Sequence, residues 1–243
     1  MQASGVICLL PANTVDDDTV EIYADESRSR VAMRWSPLRL QTERPVVDGP
    51  NGEKIKRANR SLADFIAPKT GPGAKPDYIG LFAVTAGLGI EGKVAQFEAA
   101  HDDYNAIMLK ALADRLAEAF AERLHQRVRT DLWGYAPEEA LSVAELIAEK
   151  YCGIRPAPGY PACPDHSVKR AMFEVLDGAD IGMGLTESVA MTPAASVSGF
   201  YLAHPEATYF NVGRIGDDQL LDWAARQAIA PDDARRLLAP ALG

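Results

Sequence analysis

Cysteine is scarce in this 243-residue chain, which has Cys8, Cys152 and Cys163 and no others. An odd, widely spaced set offers no disulfide framework, and a chain of this length can bury a core without one. A reducing, cytoplasmic setting is the expectation. Basic residues are outnumbered, 25 Lys and Arg against 34 Asp and Glu, for a formal net charge of −9. A negative chain is a poor partner for a phosphate backbone, which argues against general nucleic-acid binding. Long apolar runs are missing too. The run Gly5 to Leu10 is far too short for a membrane span. No basic segment leads into it and Asp16, Asp17 and Asp18 follow closely, so no signal peptide is read. Also absent are a Gly-x-Gly-x-x-Gly fingerprint, a phosphate loop and a Gly-x-Ser-x-Gly elbow. The glycines of Ala86-Gly87-Leu88-Gly89 follow a strand but miss the dinucleotide spacing.

What remains is an ordinary globular composition, 47% hydrophobic and 24% charged, which excludes disorder as the main state. Gly5 to Leu10, stopped by Pro11, reads as a buried strand. Val20 to Ala24, Val31 to Trp35, Asp77 to Thr85, Thr186 to Met191, Val197 to Leu202 and Tyr209 to Val212 read as further strands. Arg44 to Ser61, rich in turn-forming residues, reads as a surface loop or hairpin. An apolar stripe of Phe97, Tyr104, Met108, Leu112, Leu116, Phe120, Leu124 and Val128 predicts a long helix from about Lys93 to Arg129, with room for a bend near its start and with this face against a sheet. Ser142 to Glu145 is a capping-box pattern opening a helix that should stop at Gly153. Ser167 to Leu176, Asp217 to Gln227 and Pro231 to Leu238 read as helices. Strands and helices do not alternate regularly, so an α+β fold fits better than a doubly wound one.

The most informative segment is Arg155-Pro156-Ala157-Pro158-Gly159-Tyr160-Pro161-Ala162-Cys163-Pro164. Four prolines in ten residues exclude both helix and inner strand and stiffen the chain before any ligand arrives. Gly159 permits close approach or positive φ, Tyr160 offers an amphipathic ring, and Arg155 a planar fork suited to carboxylate or phosphate. The plainer reading is a proline-stiffened surface loop. Asp114, Glu118 and Glu122 recur at four-residue spacing and read first as a solvated helix face. Cys163-x-x-His166 is half of a metal pattern with no second half at ligand spacing, so no metal site is expected. Glu187, at the head of its strand, is a candidate general base with no nucleophile beside it.

The decapeptide with His166 two residues beyond it resembles the signature of the C-terminal reactivation domain of cobalamin-dependent methionine synthase. Pro11-Ala12-Asn13, Asp77-Tyr78-Ile79-Gly80, His101-Asp102-Asp103-Tyr104-Asn105, Lys110 through Glu122, Trp133-Gly134-Tyr135-Ala136-Pro137, Leu185-Thr186-Glu187-Ser188 and Ala195 through Gly199 with His204-Pro205 match in order, covering about Gly5 to Pro240.

This resemblance implies one C-shaped α+β domain over residues 1–243 around a bent, largely antiparallel sheet, serving a methyltransferase of methionine biosynthesis. The implied role is to bind S-adenosylmethionine and present its methyl group to cob(II)alamin, held by a neighbouring cobalamin-binding domain, with one electron from a flavodoxin-like protein. Arg155 would grip the ligand carboxylate, serving the ligand rather than the core. Backbone groups of Ala157 and Gly159 would meet the ligand, Tyr160 would lie near the corrinoid face, and Tyr209 and Phe210 would line the S-adenosylmethionine site. His166 is a weaker candidate. Asp114 and Glu118 match positions expected to dock the cobalamin-binding domain. The family domain begins with an upstream Asp-bearing segment that finds no match here, and Arg44 to Asn59, carrying Lys54, Lys56 and Arg57, resembles an insertion. The alternatives are an interaction module of the same fold without ligand binding and a stand-alone hydrolase using Glu187 or Asp114 and Glu118.

Overall fold

The computed structural model describes residues 1–43, 45–56 and 58–243; Arg44 and Arg57 of the expected insertion lie outside the described residues. Among the described residues the strands run in chain order as β1 (Gln2–Thr14), β2 (Val20–Tyr23), β3 (Val31–Trp35), β4 (Val47–Asp48), β5 (Lys54–Ile55), β6 (Asp77–Leu88), β7 (Gly184–Leu185), β8 (Met191–Thr192) and β9 (Ser196–Tyr201). The α-helices are α1 (Glu91–Ala99), α2 (Asp103–Arg127), α3 (Val143–Ile147), α4 (Lys169–Leu176), α5 (Asp217–Gln227) and α6 (Pro231–Leu237). Five strands form one sheet in the order β3-β2-β1-β6-β9, with β1–β2, β2–β3 and β6–β9 antiparallel. The fold is α+β, as the sequence predicts.

Strand β1 runs past Pro11 rather than stopping there. Its pairing with β2 begins at Ala12, so the missing proline N–H breaks no bond to that neighbour. The Arg44 to Ser61 region carries the β4–β5 hairpin, where Lys54 pairs with Asp48 and Lys56 with Glu43. Thr186 to Ala190 is not a strand but the turn between β7 and β8, closed by the Thr186 N–H donating to the Ala190 carbonyl. Glu187 is exposed there. Tyr209 to Val212 is likewise no strand. Val212 bonds singly to Pro161 and to Gln41, without a ladder.

The chain divides into two compact units. The first comprises Met1–Leu10, Ile79–Ala157 and Val168–Ala207. Its core joins Phe82 and Val84 of β6, Tyr201 of β9, Ala121 of α2 and Val128. The Phe82 and Tyr201 rings stack at 4.5 Å. The second unit comprises Pro11–Tyr78, Pro158–Ser167 and Thr208–Gly243. There Trp223 of α5 packs among Leu38, Val212, Leu220 and Leu238, and its indole N–H donates to the Ser36 carbonyl at 3.0 Å.

The bend allowed near the start of the long helix is a full break, and the helix departs from its expected form in the face that it buries. It breaks between Ala99 and Asp103, where His101 takes positive φ and Asp102 caps the second segment through the Asn105 amide. Along the first part of α2 the buried face is not the stripe of large apolar residues, whereas farther on Phe120 and Leu124 pack on the core and Val128 is buried. Ala106, Ala113, Ala117, Ala121 and His125 are buried, whereas Tyr104 is 72% and Leu112 52% exposed. Alanine carries no bulk beyond Cβ, so a row of it lets a helix lie close to β9, and Leu112 and Leu116, each one position before a buried alanine, turn outward along the flank. After α2 a π-helical turn, Val128–Leu132, carries Arg129 into the interior. Helix α3 opens with the expected capping box but ends at Ile147, short of Gly153.

Candidate functional site

In the first unit the segment before the prolines lies against β9. Ile154 and Leu202 exchange two backbone hydrogen bonds, and the Phe200 amide donates to the Pro156 carbonyl at 2.9 Å. Gly199 makes this approach possible, because a Cβ there would sit 2.6 Å from the Pro156 oxygen. Residues 154 and 156 thus face β9 through their backbones. Arg155 between them engages the end of α2. Its Nη2 donates to Glu122 Oε2 at 2.5 Å, and its Nη1 donates to Tyr151 Oη at 2.9 Å and lies 3.3 Å from His125 Nδ1. Arg155 is therefore braced by the protein itself, in addition to any role toward a ligand. It keeps 20% exposure and Glu122 32%. Glu122 Oε1 is buried and accepts no hydrogen bond among the described residues. Neither the amide nor the carbonyl of Ala157 is bonded among the described residues.

Behind Arg155 is a polar cluster that the sequence reading missed. His125 is fully buried. Its ring lies parallel to Tyr201 at 5.1 Å and edge-on to Tyr151 at 5.0 Å. Burial, and then the guanidiniums of Arg129 and Arg155, hold its pKa well below the usual 6.5, so it is neutral. Arg129, also fully buried, makes a bidentate pair with Glu139 at 2.6 and 2.7 Å, and its guanidinium lies 4.1 Å from the centre of the Tyr151 ring. Burial pushes the Tyr135, Tyr151 and Tyr201 hydroxyls up, so they stay protonated. A usable signal was present: His125 continues the four-residue series Ala113, Ala117, Ala121 that marks the buried row.

Asp114 and Glu118 sit on α2 and are exposed. Glu122, the third of that acidic row, is drawn off to Arg155. The row holds both a solvent-facing pair and a structural member.

In the second unit the remaining proline-rich residues form a tight turn. The Gly159 amide donates to the Cys163 carbonyl at 2.7 Å and the Cys163 amide to the Tyr160 carbonyl at 2.8 Å. Gly159 has φ of +97°, and a Cβ on it would meet the His166 imidazole, 2.6 Å from Nε2. Glycine is needed here twice over, for its φ and for the ring that lies on it. Val212 donates to the Pro161 carbonyl at 3.0 Å, which ties Tyr209 to Gly213 to the turn. Between them is a cleft of about 240 Å³ lined by Gly159, Tyr160, His166, Asn211 and Gly213 among others. Tyr160 is 59% exposed. Tyr209 is partly exposed, while Phe210 packs onto the core around Val212 and Trp223. Cys163 is buried, and that burial pushes its thiol far above the usual range, which makes it inert. Among the described residues no group of three His, Cys, Asp or Glu side chains is placed to hold a metal ion, and no helix is long and apolar enough to cross a membrane.

The expected site residues thus fall into two sets. Arg155, Ala157, Asp114 and Glu118 lie in the first unit. Gly159, Tyr160, His166, Tyr209 and Phe210 lie in the second, where the first three share a cleft with Asn211 and Gly213, while Tyr209 and Phe210 are not among the residues lining it.

Comparison with known proteins bears on both sets. A solved structure described as the MetH reactivation domain bound to AdoHcy is 53% identical in sequence, with a TM-score of 0.89 over 99% of this chain and 70% of that one. The profile of the family "Vitamin B12 dependent methionine synthase, activation domain" matches residues 1–228. With the match spanning nearly the whole chain, including the braced Arg155, the Gly159 turn and the acidic helix, this chain belongs to the activation-domain family of vitamin B12-dependent methionine synthase.

Proposed function

We propose that this domain binds S-adenosylmethionine and presents it to a corrinoid held by a neighbouring domain of the same enzyme. The observation that carries the reading is the AdoHcy bound by a relative 53% identical over 99% of this chain. AdoHcy keeps the adenosine and amino-acid ends of S-adenosylmethionine and lacks only the sulfonium methyl, so a site that reads those two ends accepts both. When bound, S-adenosylmethionine supplies the methyl group for remethylating an oxidised corrinoid cobalt, with one electron from a flavodoxin-like protein.

The chain's own residues suit the binding part of this task. Arg155 offers a fork held in place by Glu122, Tyr151 and His125 among its neighbours, so little side-chain entropy is lost on meeting a carboxylate. The amide and carbonyl of Ala157, unbonded among the described residues, suit the polar amino-acid end. The half-exposed rings of Tyr160 and Tyr209 offer flat apolar surface with a polar edge. Asp114 and Glu118, exposed on α2, suit docking of the cobalamin-binding domain. The domain's contribution is positioning, since the reacting centres belong to the small molecules.

Titration calorimetry of this chain with S-adenosylmethionine and with AdoHcy tests the binding claim. Both are expected to bind one to one. Absence of heat with either, from protein shown folded by circular dichroism, overturns it. For docking, Asp114→Asn and Glu118→Gln are expected to leave that affinity unchanged while altering the cob(II)alamin absorption spectrum of the full-length enzyme, which reports the cobalt's axial ligand. Spectra identical to wild type would make this face plain solvated surface.

A further inference from the structure

We propose that His125 is a positioning residue for Arg155: its imidazole, locked as the neutral Nε2–H tautomer, uses Nδ1 to hold the guanidinium aimed for a ligand carboxylate. The inference rests on the reading that Arg155 receives the carboxylate of S-adenosylmethionine or AdoHcy.

The tautomer follows from the donors around the ring. A guanidinium has hydrogen-bond donors and no acceptor, so the nitrogen it faces, Nδ1 at 3.3 Å, must accept. The proton then sits on Nε2, which faces Tyr135 Oη at 3.4 Å. The ring cannot turn to change this. It is fully buried at the end of α2, with Tyr201 parallel to one face and Tyr151 edge-on. The charged groups about it are Arg129, which is paired with Glu139, and Arg155, which is paired with Glu122; the tyrosines remain neutral. A protonated imidazole here would stand beside two cations, so the arrangement admits the neutral ring alone.

Glu122, Tyr151 and His125, which all hold Arg155, are not equivalent. Glu122 is one-third exposed and is itself a carboxylate, so an incoming ligand carboxylate competes with it for the same donors. Tyr151 Oη and His125 Nδ1 are neutral acceptors that do not compete as anions. Of these, the imidazole is the more rigid, being fixed by the two rings about it and by the helix that carries it. When the ligand shares the fork with Glu122, His125 is what keeps the guanidinium from swinging with it. A residue of this kind is needed because Arg155 lies on a segment whose backbone, not its side chain, is anchored to β9.

The test uses the whole chain with wild type, His125→Phe, His125→Asn and Arg155→Lys, and two probes: AdoHcy and its analogue lacking the carboxylate. His125→Phe keeps a ring of similar size and loses the acceptor. His125→Asn places an amide oxygen near the position of Nδ1. The expected result is a roughly tenfold loss of AdoHcy affinity in His125→Phe, the size of one hydrogen bond to a charged group. His125→Asn recovers most of it, and the affinity for the analogue is the same in all three. Wild-type affinity stays flat from about pH 6 to 8, because the ring does not titrate there. Ring ¹⁵N shifts of the free protein show the proton on Nε2. Equal losses with both probes would mean general damage to the fold and overturn the inference. So would unchanged AdoHcy affinity in His125→Phe, or a proton found on Nδ1. Should His125→Phe fail to fold, His125→Asn and the ring spectrum still decide. A wild-type chain that binds no AdoHcy, or one indifferent to Arg155→Lys, instead overturns the reading of Arg155 on which the inference stands.

Discussion

Glu122 and Arg155 lie 33 positions apart in sequence and meet at 2.5 Å, one on α2 and the other on the segment that borders β9. The pair joins the helix to the proline-rich segment before any ligand is present. Removing the arginine therefore has two effects at once. Arg155→Ala should lower AdoHcy and S-adenosylmethionine affinity by about 2–4 kcal/mol, the cost of leaving a carboxylate without its charged partner. It should also lower stability by about 1–2 kcal/mol, since the pair and the Tyr151 bond are partly exposed, which for a chain of this size is a fall in Tm of a few degrees. Arg155→Lys keeps the charge but not the fork and should recover part of each. Calorimetric titration and thermal melts on the same two proteins measure both. A fall in Tm with unchanged affinity would assign Arg155 to structure alone.

The Gly159 turn sets a second expectation. Gly159→Ala puts a side chain at φ of +97° and drives it into the His166 ring. Strain of this kind costs about 1–3 kcal/mol, and the ring contact adds to it. The Gly159→Ala/His166→Ala double variant should regain only the contact part, because the backbone strain remains. Denaturant unfolding of the two variants separates them. Equal stabilities would mean that the ring yields without cost.

His125 gives the protein an acid-sensitive limb. Its pKa when folded lies well below 6.5, chiefly through burial and then through Arg129 and Arg155, whereas in the unfolded chain it returns to about 6.5. Below that value the unfolded state binds a proton that the folded state refuses. Stability therefore falls as pH drops from 6.5 toward the folded pKa, at up to about 1.4 kcal/mol per pH unit, and is indifferent to this group above it. His125→Asn should flatten the slope between pH 6.5 and 5 in urea melts. An unchanged slope would mean that the ring charges inside the folded protein.

Much of this was legible in the sequence, for reasons that can be named. The decapeptide was legible because four prolines and a glycine constrain the backbone wherever they occur, and the observed turn at Gly159 follows from that chemistry. The Ser142 cap and helix α5 were legible because their signals are local. Tyr209 to Val212 was misread as a strand because apolar alternation does not reveal whether a neighbouring edge exists. Two of the partners of Arg155, Glu122 and His125, were invisible because they come from 33 and 30 positions away, on a helix whose buried side was assigned by size of side chain rather than by closeness of approach.

That assignment leads to a direct test of α2. If burial followed the large apolar residues, Leu112 and Tyr104 would be core and the alanines incidental. The structure places Ala113 and Ala117 against the rest of the first unit, with at most 1% exposure, and leaves Leu112 and Tyr104 more than half exposed. Ala113→Leu and Ala117→Leu add three methyl-sized groups where none fit, so each should cost about 1–3 kcal/mol or push the helix off β9. Leu112→Ser and Tyr104→Ser remove groups already in water and should shift stability within about 0.5 kcal/mol, apart from a small change in helix propensity. The chemical-denaturation midpoints of these four variants rank the two faces directly. The opposite order, with Leu112→Ser the most damaging and Ala117→Leu tolerated, would mean that α2 is rotated by about 100° from its place here, the angle of one residue in a helix of 3.6 residues per turn. Such a rotation would also carry His125 out from between Tyr151 and Tyr201, so the ring ¹⁵N spectrum and the denaturation series must agree.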